Sequence, residues 1–198
     1  MPSRTLISLA AVATSGATLM ATAPGAQAEV WELHHTATAS TYIKSMNQTV
    51  TTTGTQTANF DLEKRTLSAN LSLKDATSPV KVIGLPLAKA TIRIEPLGPA
   101  TGTVDFSNNI SVTQRLNIRI VKIQPLGLPV NLVGNSCKTS SPVTMKLSGK
   151  QGGLFDPFTL KGSFDIPKFA DCGLATPIVS KMVSGSGNTV KIDYVAAP

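Results

Sequence analysis

The chain has 198 residues, of which 41% are hydrophobic, 15% charged and 5% aromatic, and its formal net charge is +7 at pH 7. This length predicts one domain or at most two small ones, and the apolar fraction argues against a wholly disordered chain. The low charged fraction excludes a coiled coil, and the glycines lack the period of a collagen-like rod.

The first segment of the chain has the pattern of an export signal. Arg4 supplies a positive charge, Leu6–Met20 is a moderately apolar run, and Ala26-Gln27-Ala28 is a small-x-small triplet. We predict a signal peptide at residues 1–28, cleaved after Ala28, and a single β domain at residues 29–198. The domain is expected to be secreted, either extracellular or associated with the cell envelope. No later stretch has the apolar length of a membrane span, so none is predicted in the mature chain.

Hydrophobic residues alternate with polar ones along most of the remaining chain. The clearest case is Ile110–Ile120, where a period of two predicts a half-buried strand. The alternation slips at Val121-Lys122-Ile123 and predicts a β-bulge. Asp61–Arg65 has the composition of a hairpin turn, and Gly162 predicts another turn. The pattern predicts an all-β fold, an antiparallel sandwich or flattened barrel of about 8–10 strands.

One helix and one disulfide are expected within this β-structure. Thr176 and Pro177 have the composition of a helix start, and Ser184–Gly187 ends the segment, so we predict a short helix near residues 176–183. Cys137 and Cys172 are the two cysteines of the chain, and in an exported protein they are expected to form a disulfide. A thiol nucleophile or a metal pair fits poorly, because the chain has no Cys-x-x-Cys motif.

Two similar segments each run into a Pro-Leu-Gly sequence, at residues 96–98 and 125–127. Each predicts a strand that stops at the end of a sheet, because proline cannot donate to a ladder. The apolar residues around these turns are expected either to be buried in the core or to form apolar loops at one rim. Such loops would line the mouth of a ligand cavity or contact a membrane. The predicted ligand-lining residues are Leu85, Leu87, Leu97, Leu126, Leu128 and Val130.

The sequence shows no constellation of residues typical of catalysis or of a bound cofactor. His34 and His35 are adjacent, so in a strand they point to opposite faces and cannot readily share a metal ion. The chain has no Gly-x-Ser-x-Gly elbow, no Gly-x-Gly-x-x-Gly motif and no Walker loop. We therefore predict a non-catalytic protein without a metal site or cofactor. A hydrolase that uses His34 or His35 is the remaining catalytic alternative.

The positive charge is spread along the predicted strands, and its longest run is Lys64-Arg65. A nucleic-acid-binding protein usually clusters its basic residues and interleaves them with aromatic ones, so we predict no nucleic-acid partner. Weak, salt-screened attraction to an acidic cell-wall polymer or to anionic lipid fits this distribution better.

Three stretches, Pro129–Cys137, Ser140–Val143 and Ile166–Gly173, carry a resemblance to known sequences. On these stretches the chain resembles a group of uncharacterised secreted proteins of actinobacteria. The resemblance implies an exported, disulfide-bearing β protein and implies no activity. In size and apparent meander the chain is also similar to the exported lipid-binding barrels of the YceI type, which is an analogy of architecture.

Two functions follow from these observations. The leading hypothesis is a non-catalytic secreted or envelope-associated β protein that binds an apolar or lipid-like small molecule. The alternative is a structural or adhesive surface module that contacts acidic cell-wall polymer.

Overall fold

The computed structural model describes residues 29–82 and 85–197, with side-chain positions outside residues 81–85. The predicted signal peptide lies outside the described residues. Strands make up 65% of the structure, in agreement with the alternating sequence. The twelve strands are β1 (Val30–Ile43), β2 (Gln48–Asp61), β3 (Thr66–Leu73), β4 (Ala76–Val82), β5 (Leu85–Pro96), β6 (Ala100–Val104), β7 (Asn109–Pro125), β8 (Lys138–Thr139), β9 (Val143–Lys150), β10 (Phe158–Ile166), β11 (Phe169–Ala170) and β12 (Gly185–Ala196).

Eight of these strands close into an antiparallel barrel. Their order around the barrel is β7-β6-β3-β2-β1-β12-β10-β9, and the pairing of β9 with β7 joins the two ends. The hairpin of β4 and β5 continues the wall beside the second half of β7. The predicted sandwich or flattened barrel is therefore a closed barrel, which leaves few unpaired strand edges.

The period-two pattern places one set of side chains inside the barrel and the other outside. On β1, Ala37 and Ala39 are buried, whereas Thr36 and Thr38 are exposed. The same alternation continues on β2, whose outward residues are mostly threonines. The interior collects the core of the protein, because burial of these apolar side chains is the main favourable contribution to folding.

The predicted turn at Gly162 is wrong, because this residue lies inside the continuous strand β10. A Cβ atom at Gly162 would collide with the carbonyl oxygen of Lys146 on β9. Gly54 on β2 has the same relation to the carbonyl oxygen of Ser72 on β3. These glycines permit the backbone of the neighbouring strand to approach closely, so they are part of the strands rather than interruptions.

Two other local predictions are confirmed. Thr91 pairs with Lys122 and Ile92 pairs with Ile120, so Val121 is the extra residue of a bulge between β5 and β7. The turn predicted at Asp61–Arg65 joins β2 to β3, and the Asp61 side chain accepts a hydrogen bond of 2.8 Å from the backbone N–H of Lys64.

The predicted helix is present as α1 (Thr176–Val183), with Pro177 in its first turn. Thr176 is the first helical residue. Its hydroxyl accepts a hydrogen bond from the N–H of Cys172 and donates one to the carbonyl of Gly173, which connects the helix to the preceding turn. The Ser180 hydroxyl accepts a hydrogen bond from the N–H of Phe169, which holds α1 against β11.

The predicted disulfide between Cys137 and Cys172 is confirmed, and both residues are fully buried. It joins the segment before β8 to the turn that leads into α1. Residues Val179, Met182 and Val183 of α1 line the interior of the barrel. The disulfide therefore holds in place the helix that covers one end of the barrel.

Candidate functional site

The barrel encloses a cavity of about 370 Å³. This volume lies in the lower part of the range of small-molecule pockets, about 300–1,000 Å³. Most of the lining side chains are aliphatic, and they come from the inward positions of all eight barrel strands and of β4 and β5. An eight-stranded barrel is just wide enough either to be filled by its own side chains or to hold one small ligand.

A row of small side chains explains why the interior is not filled. Ala58 on β2, Ala69 on β3 and Ala100 on β6 are direct neighbours across three strands. All three are buried, and they pack together with Leu33 and Leu67. Since this row contributes only methyl groups, it fills less of the lumen than larger inward side chains would.

The cavity wall is least continuous between β3 and β5. The segment Asn70–Leu73 of β3 pairs with β2 on one side, and its other side has no ladder partner among the described residues. Inward side chains on both sides of this interruption, such as Leu71 and Ile94, line the cavity and are only half-buried. Outside the wall, the Arg93 guanidinium bridges to the Asp75 carboxylate at 2.7 Å. The interruption leaves apolar surface accessible that a continuous wall would cover.

Two polar side chains face each other within this apolar lining. His35 on β1 lies directly opposite Gln56 on β2, and the two residues are 4% and 8% exposed. The His35 ring stands edge-on to the rings of Phe158 and Tyr194, with centroids 5.4 Å and 6.1 Å away. Nδ1 of His35 is the one buried side-chain nitrogen or oxygen without a hydrogen-bond partner in the described part of the chain. A buried polar atom without a partner is costly and often indicates a site that a ligand or water completes.

Burial favours the uncharged forms of His35 and Tyr194. Desolvation lowers the pKa of His35 below 6.5, and the nearby His34 lowers it further. Desolvation raises the pKa of the Tyr194 phenol above its ordinary value of 10. Both shifts favour the neutral form, because an ion loses its hydration in a low-dielectric interior.

His34 points to the opposite face of β1, as predicted. Its Nε2 lies 3.1 Å from the Glu32 carboxylate, and its Nδ1 lies 3.3 Å from the Thr57 hydroxyl. No group of three potential metal ligands occurs among residues 29–82 and 85–197. Nδ1 of His35, on the inner face, has no hydrogen-bond partner among the described residues.

Arg65 contributes the one fully charged side chain among the described cavity-lining residues. Its guanidinium donates to the backbone carbonyls of Val104 and Asp105. It also lies over the ring of Phe106, 4.9 Å from the centroid. Arg65 thus ties the β2–β3 turn to the β6–β7 turn at the end of the barrel opposite α1.

Five of the six apolar residues predicted to line a ligand site have described side chains, and these five lie away from the cavity. The side chain of Leu85 is outside the described part of the structure. The other five are exposed by between 47% and 58% and are not among the cavity-lining residues, namely Leu87, Leu97, Leu126, Leu128 and Val130.

These residues also do not form one rim. Leu126 lies beside Leu87, since its N–H donates to the Leu87 carbonyl, whereas Leu97 donates to the carbonyl of Arg115. Strands β5 and β7 are antiparallel, so their Pro-Leu-Gly turns fall at opposite ends of the shared ladder, about 26 Å apart at 3.3 Å per residue. A contact of these loops with a membrane or another partner stays a prediction.

Sequence reasoning missed the polar residues of the lumen. His35, Gln56 and Tyr194 occupy inward positions of strands whose neighbours at every second residue are apolar. The alternation of inward and outward positions was visible in the sequence, but it does not show which inward side chains of different strands lie next to each other. The pairing of β1 with β2 and with β12 brings these three together.

Comparisons with known proteins give no assignment. No protein family, curated protein or solved structure matches the chain. Among the described residues no helix has the length and apolar character that crossing a membrane requires. The class of protein is therefore defined here by its fold, a closed eight-stranded antiparallel barrel with a disulfide and an apolar lumen.

Proposed function

We propose that this protein is a non-catalytic carrier or receptor that binds one small apolar molecule inside the barrel. The observation that carries the proposal is the cavity of about 370 Å³ with an aliphatic lining. Transfer of an apolar molecule from water into such a lining is favourable by roughly 25 cal/mol per Å² of buried apolar surface.

The place of action proposed here is outside the cytoplasm, either secreted or in the cell envelope. The disulfide supports this, because disulfides form and persist in oxidising compartments. In such a setting, a protein that shields an apolar molecule from water can carry it across an aqueous space.

The test is binding of N-phenyl-1-naphthylamine, a neutral fluorophore that brightens in apolar sites. The wild-type protein is expected to bind it saturably, with one molecule per chain. Leu71→Trp enlarges an inward, half-buried side chain of the cavity wall and should weaken binding at least tenfold. Its matched control, Ser72→Trp, adds the same group to the outer face of the same strand and should bind as the wild type.

Two results would contradict the proposal: unsaturable binding to the wild type, or equal binding by Leu71→Trp and Ser72→Trp. A thermal unfolding curve of each variant shows whether it is folded at the assay temperature. Native mass spectrometry of protein purified from its own host adds an independent check, since an occupied lumen should give a mass above that of the chain.

A second candidate function is contact with an acidic cell-wall polymer. Lys161 on β10 lies directly opposite Lys191 on β12, and Lys146 on β9 lies opposite Ser163, two residues along β10 from Lys161. All three are on the exposed outer face. Like charges on paired strands repel each other. The Asp193 carboxylate, 2.8 Å from the Lys191 ammonium, offsets part of this repulsion, and an acidic partner would offset the rest.

A further inference from the structure

The lumen contains a polar position that an apolar ligand alone would leave incomplete. The His35 side chain is among those that line the cavity, and its buried Nδ1 has no hydrogen-bond partner. Gln56, directly opposite on β2, lines the same cavity and carries an amide that can both donate and accept. These two groups lie together, so one polar atom placed between them could bond to both.

The charges around this position exclude an ionic partner. No acidic or lysine side chain is among the described cavity-lining residues, and Arg65 is held by backbone carbonyls near the end of the barrel. A carboxylate or ammonium group near His35 would therefore lose its hydration without gaining an opposite charge, which is strongly unfavourable. The group that this position accepts must be neutral.

We propose that His35 and Gln56 bind the hydroxyl group of the ligand, so that the ligand class is an apolar alcohol. A hydroxyl both donates and accepts, and it can therefore bond Nδ1 in either imidazole tautomer while also bonding the Gln56 amide. A ketone or ester can only accept a hydrogen bond, so it can bond to Nδ1 only in the imidazole tautomer that carries the proton on Nδ1. This inference rests on the proposed function, because it names the ligand class of the same cavity.

The experiment is displacement of N-phenyl-1-naphthylamine by three probes of similar length: decan-1-ol, undecane and decanoate at pH 7.5. In the wild-type protein, decan-1-ol should bind at least tenfold more tightly than undecane and than decanoate. His35→Phe keeps a ring beside Phe158 and Tyr194 and removes the nitrogen atoms. It should reduce the preference for decan-1-ol over undecane to less than threefold.

The matched control is His34→Phe, which changes the adjacent residue on the outer face and should keep the wild-type preference. Gln56→Leu should lower the preference, since it removes the second partner of the hydroxyl. The nitrogen-15 chemical shift of His35 Nδ1 should move when decan-1-ol is added and stay unchanged with undecane.

The outcomes separate this inference from the proposed function. If the fluorophore binds but decan-1-ol and undecane displace it equally well, the lumen is a binding site and the inference is wrong. In that case a water molecule is a sufficient hydrogen-bond partner for His35 Nδ1. A preference that survives His35→Phe also overturns the inference. If neither the fluorophore binds nor the Nδ1 shift moves with decan-1-ol, the proposed function fails and the inference fails with it.

Discussion

Removal of the disulfide is the perturbation whose effect on stability the structure predicts most directly. The bond joins residues separated by 35 positions, and the loop-entropy relation gives a stabilisation of about 4 kcal/mol for a loop of this length. For a protein of this size, each kcal/mol corresponds to a shift in melting temperature of roughly 2–4 °C. The double variant Cys137→Ala/Cys172→Ala should therefore melt about 8–16 °C below the oxidised wild type.

The assay is urea and thermal unfolding, followed by far-ultraviolet circular dichroism and by the fluorescence of Trp31. Reduced wild-type protein is the matched control, because it keeps both buried sulfur atoms and lacks only the cross-link. It should lose most of the same free energy of unfolding.

The cavity lining does not include either cysteine. Below its melting transition, the double variant should therefore still bind N-phenyl-1-naphthylamine with nearly the wild-type affinity. A loss of stability below about 1 kcal/mol would refute the reasoning, since it would mean that the cross-link hardly restricts the unfolded chain.

Two further predictions concern pH and surface charge. The pKa of His35 is lowered in the folded state, so the unfolded chain binds a proton more readily than the folded one. The free energy of unfolding should therefore be highest above about pH 6.5 and should fall as the pH drops below that value. Urea unfolding between about pH 5 and 7.5 should show this slope in the wild type and a weaker one in His35→Phe, and equal slopes would contradict the assignment. If the outer lysines contact acidic polymer, the wild type should co-sediment with purified cell wall at low salt and be released at high salt. Lys161→Gln/Lys191→Gln should co-sediment less, and unchanged sedimentation would count against that second function.

The local elements of the fold were predictable because each depends on neighbours in the chain. The alternation in Ile110–Ile120 predicted part of β7, and the slip at Val121 predicted its bulge. Pro177 and the glycines after Val183 placed α1. Gly162 misled the prediction because a glycine that opens a turn and one that permits close strand packing have the same sequence signal. Only the neighbouring strand distinguishes the two cases.

The position of the cavity was not predicted from the sequence. Apolar loops suggested a ligand site, yet Leu126 and Leu128 are exposed outside the barrel, and the cavity is lined from within the strands. A leucine in the sequence does not show whether it faces water or core, because exposed leucines are common on folded proteins.

The sequence by itself determined that this chain forms strands, where several of them bend or end, and that two cysteines are available to pair. These properties follow from side-chain parity and backbone preference over a few residues. Only the tertiary structure decided that the sheet closes on itself, that three alanines from different strands share one row, and that His35 meets Gln56 in the lumen. Such features depend on strand order and register, which join residues far apart in the chain, and a cavity exists only where these distant side chains fail to fill the space between them.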